Sequence, residues 1–435
     1  MSETVSVPLS NDGVWPLRGI ASGPNKGGAV TSEFFKSYGN VPKKDALKVA
    51  YVAICYMVLF SGYYYVHAFT SATFSLSYVG FALQYFFYAV ASLLGPSFAR
   101  RFGIKLIIVL SSLGYILYCG AVISRIDALY LVSAAIIGIC AGFIWLQQGI
   151  YIAEIAEEIR NETTFEVGGA LSGLFYGLFN FCFIFGNLIS LIALLSGVQT
   201  YIIQWVMFGV CSLGVIMLFF IRVEEPQPES RSLFFSHFKE RVKAVLGIIK
   251  VKGYWLVIPL VVLQSVQISI TYQVIPRLIA RQSPSTILYH IVTFIFYGIG
   301  SVIASFLTGK LFDKSSGMAW IIMSSCEISA NVLLVCMQEG NVPIEVWWCV
   351  GFLRGSSDYA LTTIISSIGI RTFKEHSTPF FASYRLIYCI CYVPISIMTG
   401  YVVYYVNVLM CLGLWVLATV GFYVLNSTKF NSPTG

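Results

Sequence analysis

The sequence predicts an all-α membrane protein, with twelve transmembrane helices in two six-helix bundles. Three observations carry this. Hydrophobic residues fill 57% of the 435 positions and charged residues only 11%, whereas a soluble domain carries about 25% charged residues. Apolar runs of the roughly 20 residues needed to cross a hydrocarbon core recur along the chain, and twelve can be counted. One long polar stretch, residues 223–253, divides them six and six.

Taken in order, residues 1–46 are a tail rich in Gly, Ser and Pro, a composition expected to be disordered. About forty mostly polar residues precede the first apolar run, so no cleavable signal peptide is expected. An N-terminal bundle, residues 47–222, holds spans at 47–70, 75–99, 105–123, 129–152, 169–196 and 200–222. A C-terminal bundle, residues 254–426, holds spans at 254–276, 286–308, 318–337, 344–369, 380–402 and 404–426, and residues 427–435 form a short tail. Within 223–253, Phe234, Phe235, Phe238, Val242, Val245, Leu246 and Ile249 recur at helical spacing, with Lys239, Arg241 and Lys243 on the other face. That pattern reads as an amphipathic helix on the inner leaflet. A solvated basic linker is the alternative for its first half.

Basic residues set the orientation. With both termini in the cytoplasm, 22 of the 27 Lys and Arg fall in the tails and inner loops. Three fall outside (Arg125, Arg277, Arg281) and two within spans (Arg354, Arg385). This asymmetry is the positive-inside signature. The sequons at Asn161 and Asn426 then lie on the cytoplasmic side, where neither is glycosylated. All eleven cysteines lie in or beside apolar segments, and the lone Cys389-x-Cys391 has no metal-ligand or redox spacing, so they read as small buried apolar residues.

The halves echo one another. The loop after the second span, GPSFARRFGIK at 95–105, and the loop after the eighth, GKLFDKSSG at 309–317, are both basic and glycine-flanked. Matched loops in a six-plus-six chain point to an internal repeat, with a site expected near the midplane between the halves. The later loop resembles the loop signature of the major facilitator superfamily through Gly309, Asp313, Lys314 and Gly317. That resemblance implies a gating latch at Asp313. The earlier loop departs from it, with Arg100-Arg101 where an acid–base pair belongs.

Three further stretches narrow the resemblance. Trp145, Gln148, Gly149 and Tyr151 end the fourth span, Gly186-Asn187 lie in the fifth, and Gly355 and Asp358 lie in the tenth. Together they resemble the uncoordinated-93-like family, a divergent branch of that superfamily, over most of residues 50–425. The resemblance implies a major-facilitator-type fold. It leaves open two functions represented among relatives, solute transport and the regulation or escort of another membrane protein.

Charges inside the spans carry the functional reading, because each costs about 2.5–3.5 kcal/mol at a helix centre on insertion scales. Arg354 and Asp358 are one turn apart and can pair. Arg385, in the eleventh span, adds a second cation. Two readings stand: a polar cavity that attracts an anion or gates on Asp358 protonation, or a structural ion-pair cluster pinning the two spans. For Arg385, snorkelling to the interface is a third. Gln147, Gln148, Asn180, Asn187, Gln264 and Gln267 are singly interhelical glue, and as a set they suggest a polar interior. Tyr63, Tyr64, Tyr65 and His67 read as an aromatic interface belt or as a lid. Glu327 and Asn331 share a face of the ninth span, a span expected at the periphery. No Walker loop, HExxH, GxSxG or zinc-finger spacing is present, so no enzyme reading arises. The expected partners are the lipid bilayer, a small solute or ion and another membrane protein such as a channel or receptor. No cofactor, metal or nucleic acid is expected.

Overall fold

The computed structural model describes residues 41–427, apart from 69, 71–73, 75, 164, 222–230, 283–285 and 338–341. The tail to residue 40, the first part of the 223–253 stretch and the tail beyond 427 lie outside the described residues. Spans one to six are Lys43–Ala68, Ser77–Phe102, Ile104–Ser124, Asp127–Thr163, Gly168–Phe179 continued by Phe181–Leu195, and Thr200–Phe219. Spans seven to twelve are Tyr254–Ser269 continued through a π-helical turn at Ile270–Val274 into Ile275–Gln282, then Thr286–Lys314, Ser316–Cys336, Ile344–Arg371, Ser377–Tyr401 and Tyr404–Asn426.

Eleven of these are long and apolar enough to cross a membrane. Span ten, at 28 residues, is long enough but less apolar. Every residue from Arg354 to Ile370 is buried. Protein rather than lipid surrounds this stretch, which is how it accommodates an arginine, an aspartate and a run of hydroxyl residues.

The two bundles repeat one packing scheme. In the first, span two packs on four, one on six, three on four, and one on five. In the second, eight packs on ten, seven on twelve, nine on ten, and seven on eleven. Contacts between bundles obey the same correspondence, as two meets eleven and five meets eight. The local cause is also repeated. Gly138 and Gly142 let span four lie against the carbonyls of Gln84 and Tyr88 in span two. Gly351 and Gly355 let span ten lie against the carbonyls of Thr293 and Tyr297 in span eight. Both pairs are spaced Gly-x-x-x-Gly, the spacing that brings two helix backbones together in a membrane. A β-carbon at any of the four would collide with backbone.

Two features of the connections depart from expectation. Gly309 packs against the backbone of Gly169 and Gly173, as a tight approach requires, but Gly317 has open space around it. In the 223–253 stretch a helix runs Arg231–Gly247, as the pattern implies, but Arg241, expected on the outward polar face, is turned inward. Arg241, Val245 and Ile248 are buried, while Leu246 and Ile249 are exposed. The helix packs on spans two and eleven, so protein contact, not lipid alone, sets which side turns inward.

Candidate functional site: a tyrosine-lined cavity between the bundles

A cavity of about 90 Å³ lies between the bundles, walled by spans one to five, seven, ten and eleven. Ten of its lining residues are tyrosines, among them Tyr63, Tyr64, Tyr88, Tyr176, Tyr359 and Tyr388. Among the described residues, two that line it are charged at neutral pH, Asp358 and Arg385. Gln264 also lines it, donating to Thr362 Oγ1 at 2.7 Å and accepting from Tyr384 Oη at 2.6 Å.

Arg385 does not snorkel. It is 8% exposed, and its guanidinium lies 5.5 Å from the Trp145 ring centre and 4.7 Å from that of Tyr384. Its hydrogen bond, Nη1 to Tyr384 Oη at 3.4 Å, is long, and Nε has no partner among the described residues. No carboxylate among the described residues pairs with it. Aromatic faces stabilise a cation by about 0.5–2 kcal/mol, far less than the several kcal/mol that desolvating the charge costs.

Arg354 is placed differently. It is fully buried and does not line the cavity. Its Nη1 donates to Glu327 Oε1 at 2.8 Å, while Nε stands 3.8 Å from Asp358 Oδ1. The expected Arg354–Asp358 pair is therefore the weaker half of a triad whose main counter-ion is Glu327. Glu327 itself is wholly buried, not turned to the periphery. It accepts from Gln267 Nε2 at 2.6 Å, Asn331 Nδ2 at 2.6 Å, Cys411 Sγ at 2.9 Å and the Ser357 hydroxyl. Cys411 is thus not a bland apolar cysteine.

Asp358 joins the triad to the cavity. Its Oδ2 accepts from Thr271 Oγ1 at 2.7 Å and Tyr297 Oη at 3.0 Å. Thr271 sits in the π-helical turn of span seven, followed by Tyr272 on the cavity wall and by Gln273, which donates to Tyr392 Oη and Ser396 Oγ at 2.8 and 2.7 Å. A π turn widens the helix locally, and such turns recur at functional sites.

The remaining amides divide. Gln147 is buried with neither side-chain polar atom partnered among the described residues, and it does not line the cavity. Gln148 accepts from Tyr176 Oη at 3.4 Å. Asn180, where span five is interrupted, donates to Ser305 Oγ at 3.1 Å across the bundle interface. Asn187 is turned back on its own helix, donating to the Phe183 carbonyl at 2.8 Å. Gln267 serves Glu327 and Ser357 rather than a solute.

Of the loop residues, Asp313 hydrogen-bonds across the halves. Its carboxylate accepts from the backbone N–H groups of Gly169 and Ala170, at 3.0 and 2.7 Å. These open the helix of span five, whose N-cap position, Val167, supplies no side-chain cap. A carboxylate satisfies the orphan donors and the positive end of that helix. Gly309 packs beside it; Lys314 ends span eight. Arg101 lies 6.0 Å from the Phe102 ring, and Arg100 acts electrostatically on Glu154.

Sequence reading named Tyr63, Tyr64 and Tyr65, as a belt or a lid, and missed the other tyrosines of the cavity. Tyr63, Tyr64 and His67 line the cavity and are not an interface belt. Toward the face opposite the termini, Tyr85 of span two stacks on Tyr392 of span eleven at 3.8 Å, and Tyr64 of span one on Tyr272 of span seven at 5.9 Å. The available signal was position: Tyr85, Tyr88, Tyr176, Tyr359 and Tyr388 stand well inside their spans, where an interface belt would not put them. Among the described residues, no group of three His, Cys, Asp or Glu converges to hold a metal ion.

A sequence profile described as "Ion channel regulatory protein UNC-93" matches residues 71–346, more than half of the chain. This protein belongs to the UNC-93 family. A relative, UNC93-like protein 3 of Arabidopsis thaliana, is 27% identical over 161 residues, 35% of each chain, so the match spans about a third of that relative's length. Among solved structures, the major facilitator superfamily proton:xylose symporter bound to 6-bromo-6-deoxy-D-glucose superposes with a TM-score of 0.62. That match covers 88% of this chain and 95% of the symporter, at 13% identity. The likeness establishes the major facilitator fold for this UNC-93 family member and says nothing of a solute.

Proposed function

We propose that this UNC-93 family protein is a secondary carrier of a small anionic solute, operating by alternating exposure of the central cavity. The observation that carries this reading is Arg385, a buried guanidinium on the cavity wall with no carboxylate paired to it among the described residues. An anion in the cavity would supply the missing counter-charge. Asp358, on the same wall and tied to spans seven and eight through Thr271 and Tyr297, would carry the coupling proton or ion. Asp313 would hold the bundles together at the cytoplasmic face, where both termini lie in this reading.

The test is flux in proteoliposomes, using small inorganic and carboxylate anions beside neutral solutes, with and without a pH gradient. Arg385→Gln should lower anion flux by more than about tenfold, since removing a buried charge partner costs about 2–5 kcal/mol. Flux of a neutral solute, or anion flux untouched by the substitution, defeats the proposal. A second reading, regulation of an ion channel, rests on the family's description. Absence of flux for every solute, together with tight co-purification of a channel, would favour it.

A further inference from the structure

A second cavity, of about 230 Å³, lies away from the first and shares no lining residue with it. It sits between the last turns of span seven and the turn joining spans eleven and twelve, at the face opposite the termini. Its polar side chains include Arg277, Arg281, Thr399 and Asn407, and no acid among the described residues lines it.

The donors outnumber what the protein gives them. Arg277 and Arg281 are one helical turn apart, so their like charges repel. Arg277 is partly buried, and its Nη1 donates to the Thr399 carbonyl at 2.7 Å, which fixes the guanidinium on the wall. Arg281 is exposed and has no hydrogen bond or ion pair among the described residues. Asn407 is completely buried. Its Oδ1 accepts from Thr399 Oγ1 at 3.1 Å, which leaves Nδ2 without a partner among the described residues. A buried amide donor left unmade costs about 1–3 kcal/mol. The carbonyls that end span eleven offset part of the positive charge, as the Arg277 contact shows, but they leave Arg281 and Asn407 Nδ2 unserved.

We infer that this cavity binds an oxyanion, a phosphate or carboxylate group held by the two guanidiniums and the Asn407 amide. A guanidinium pairs with such groups through two parallel hydrogen bonds. The group could belong to a free anion or to the headgroup of an anionic phospholipid. Exposed Tyr401, Val403 and Val406 beside the cavity offer an apolar surface for an acyl chain in the second case. The inference is independent of the central cavity's role and survives if that carrier reading fails.

The experiment is thermal unfolding and native mass spectrometry of the full-length protein in detergent, titrated separately with inorganic phosphate, phosphatidic acid and phosphatidylcholine. Phosphate or phosphatidic acid should raise the midpoint in a dose-dependent manner, and phosphatidylcholine should not. Response to phosphate that Arg281→Gln weakens identifies a free-anion site here rather than in the central cavity, and response to phosphatidic acid alone identifies a headgroup site. Arg281→Gln, at an exposed helix end, should weaken the effect by about tenfold or more, the loss of one charge-assisted contact. Arg281→Lys should recover part of it. Asn407→Asp places a carboxylate of nearly the same shape in the cavity and should abolish the effect, so it decides the matter if Arg281→Gln does not fold. No stabilisation by phosphate or phosphatidic acid overturns the inference. Equal stabilisation by phosphatidylcholine, or titrations unchanged in both loss-of-binding variants, also overturns it.

Discussion

At the scale of single residues, the interior charges fall into two kinds. Glu327 and Arg354 form a closed pair with hydrogen bonds from Gln267, Asn331 and Cys411 around the carboxylate. Such a pair adds little net stability over apolar packing, but breaking it leaves a charge stranded. Glu327→Ala should therefore cost about 3–5 kcal/mol, read as a large fall in the thermal unfolding midpoint in detergent; a loss below about 1 kcal/mol would show that Arg354 finds another counter-charge. Asp358 and Arg385 are open to the cavity. Asp358→Asn keeps an oxygen for Thr271 and Tyr297, so the fold should persist. Facing this group are Arg354 on its own helix, Glu327 of span nine and Tyr297 of span eight. Under the proposed carrier role, the substitution should leave anion flux indifferent to a pH gradient. Flux that keeps the wild-type pH dependence would remove Asp358 from coupling.

At the scale of elements, the pseudo-symmetry exposes an asymmetry. Span eight meets span five through Asp313, which caps the start of span five. The equivalent pair is span two with span eleven, and there the loop carries Arg100-Arg101, which cannot accept N–H bonds from a helix start. The linker helix Arg231–Gly247 packs on those same two spans. Capping by Asp313 supplies two charge-assisted bonds, so its loss is worth about 1.5–3 kcal/mol or more. If Asp313 is a latch, Asp313→Ala should shift the carrier toward opening at the terminal face by at least about tenfold. Labelling of a cysteine placed at Thr362, on the cavity wall, by an aqueous thiol reagent applied to that face would measure it. Unchanged labelling would reduce the contact to a static cap.

At the scale of the whole molecule, the topology makes a prediction in cells. If both termini are cytoplasmic, as the proposed orientation has it, Asn161, exposed near the end of the long fourth helix, should carry no glycan, nor should Asn426. A mass shift on glycosidase treatment that disappears in Asn161→Gln would invert the orientation. The second cavity, at the face opposite the termini, would then lie on the cytoplasmic side.

Much of this architecture was legible in the chain. Apolar runs of bilayer length, a polar break after six of them and basic loops on one side follow from hydrophobic transfer and the charge bias of insertion, which act on local sequence. Several helix limits held to within a few residues, including the division at Val402–Val403 between two nearly continuous runs, while the fourth, seventh and eighth helices run past their expected ends to Thr163, Gln282 and Lys314 and the fifth is interrupted at Asn180. The Gly-x-x-x-Gly pairs at 138 and 351 were equally present in the letters, but their partners were not. What the letters could not decide was which polar side chains meet. Glu327 and Arg354 are 27 positions apart, and the cavity draws on eight spans. A helix offers several faces to neighbours, and electrostatic pairing depends on a few ångströms of three-dimensional separation. Only the packed bundles could therefore turn Glu327 inward, withdraw Arg354 from the cavity and leave Arg385 on its wall with no paired carboxylate among the described residues.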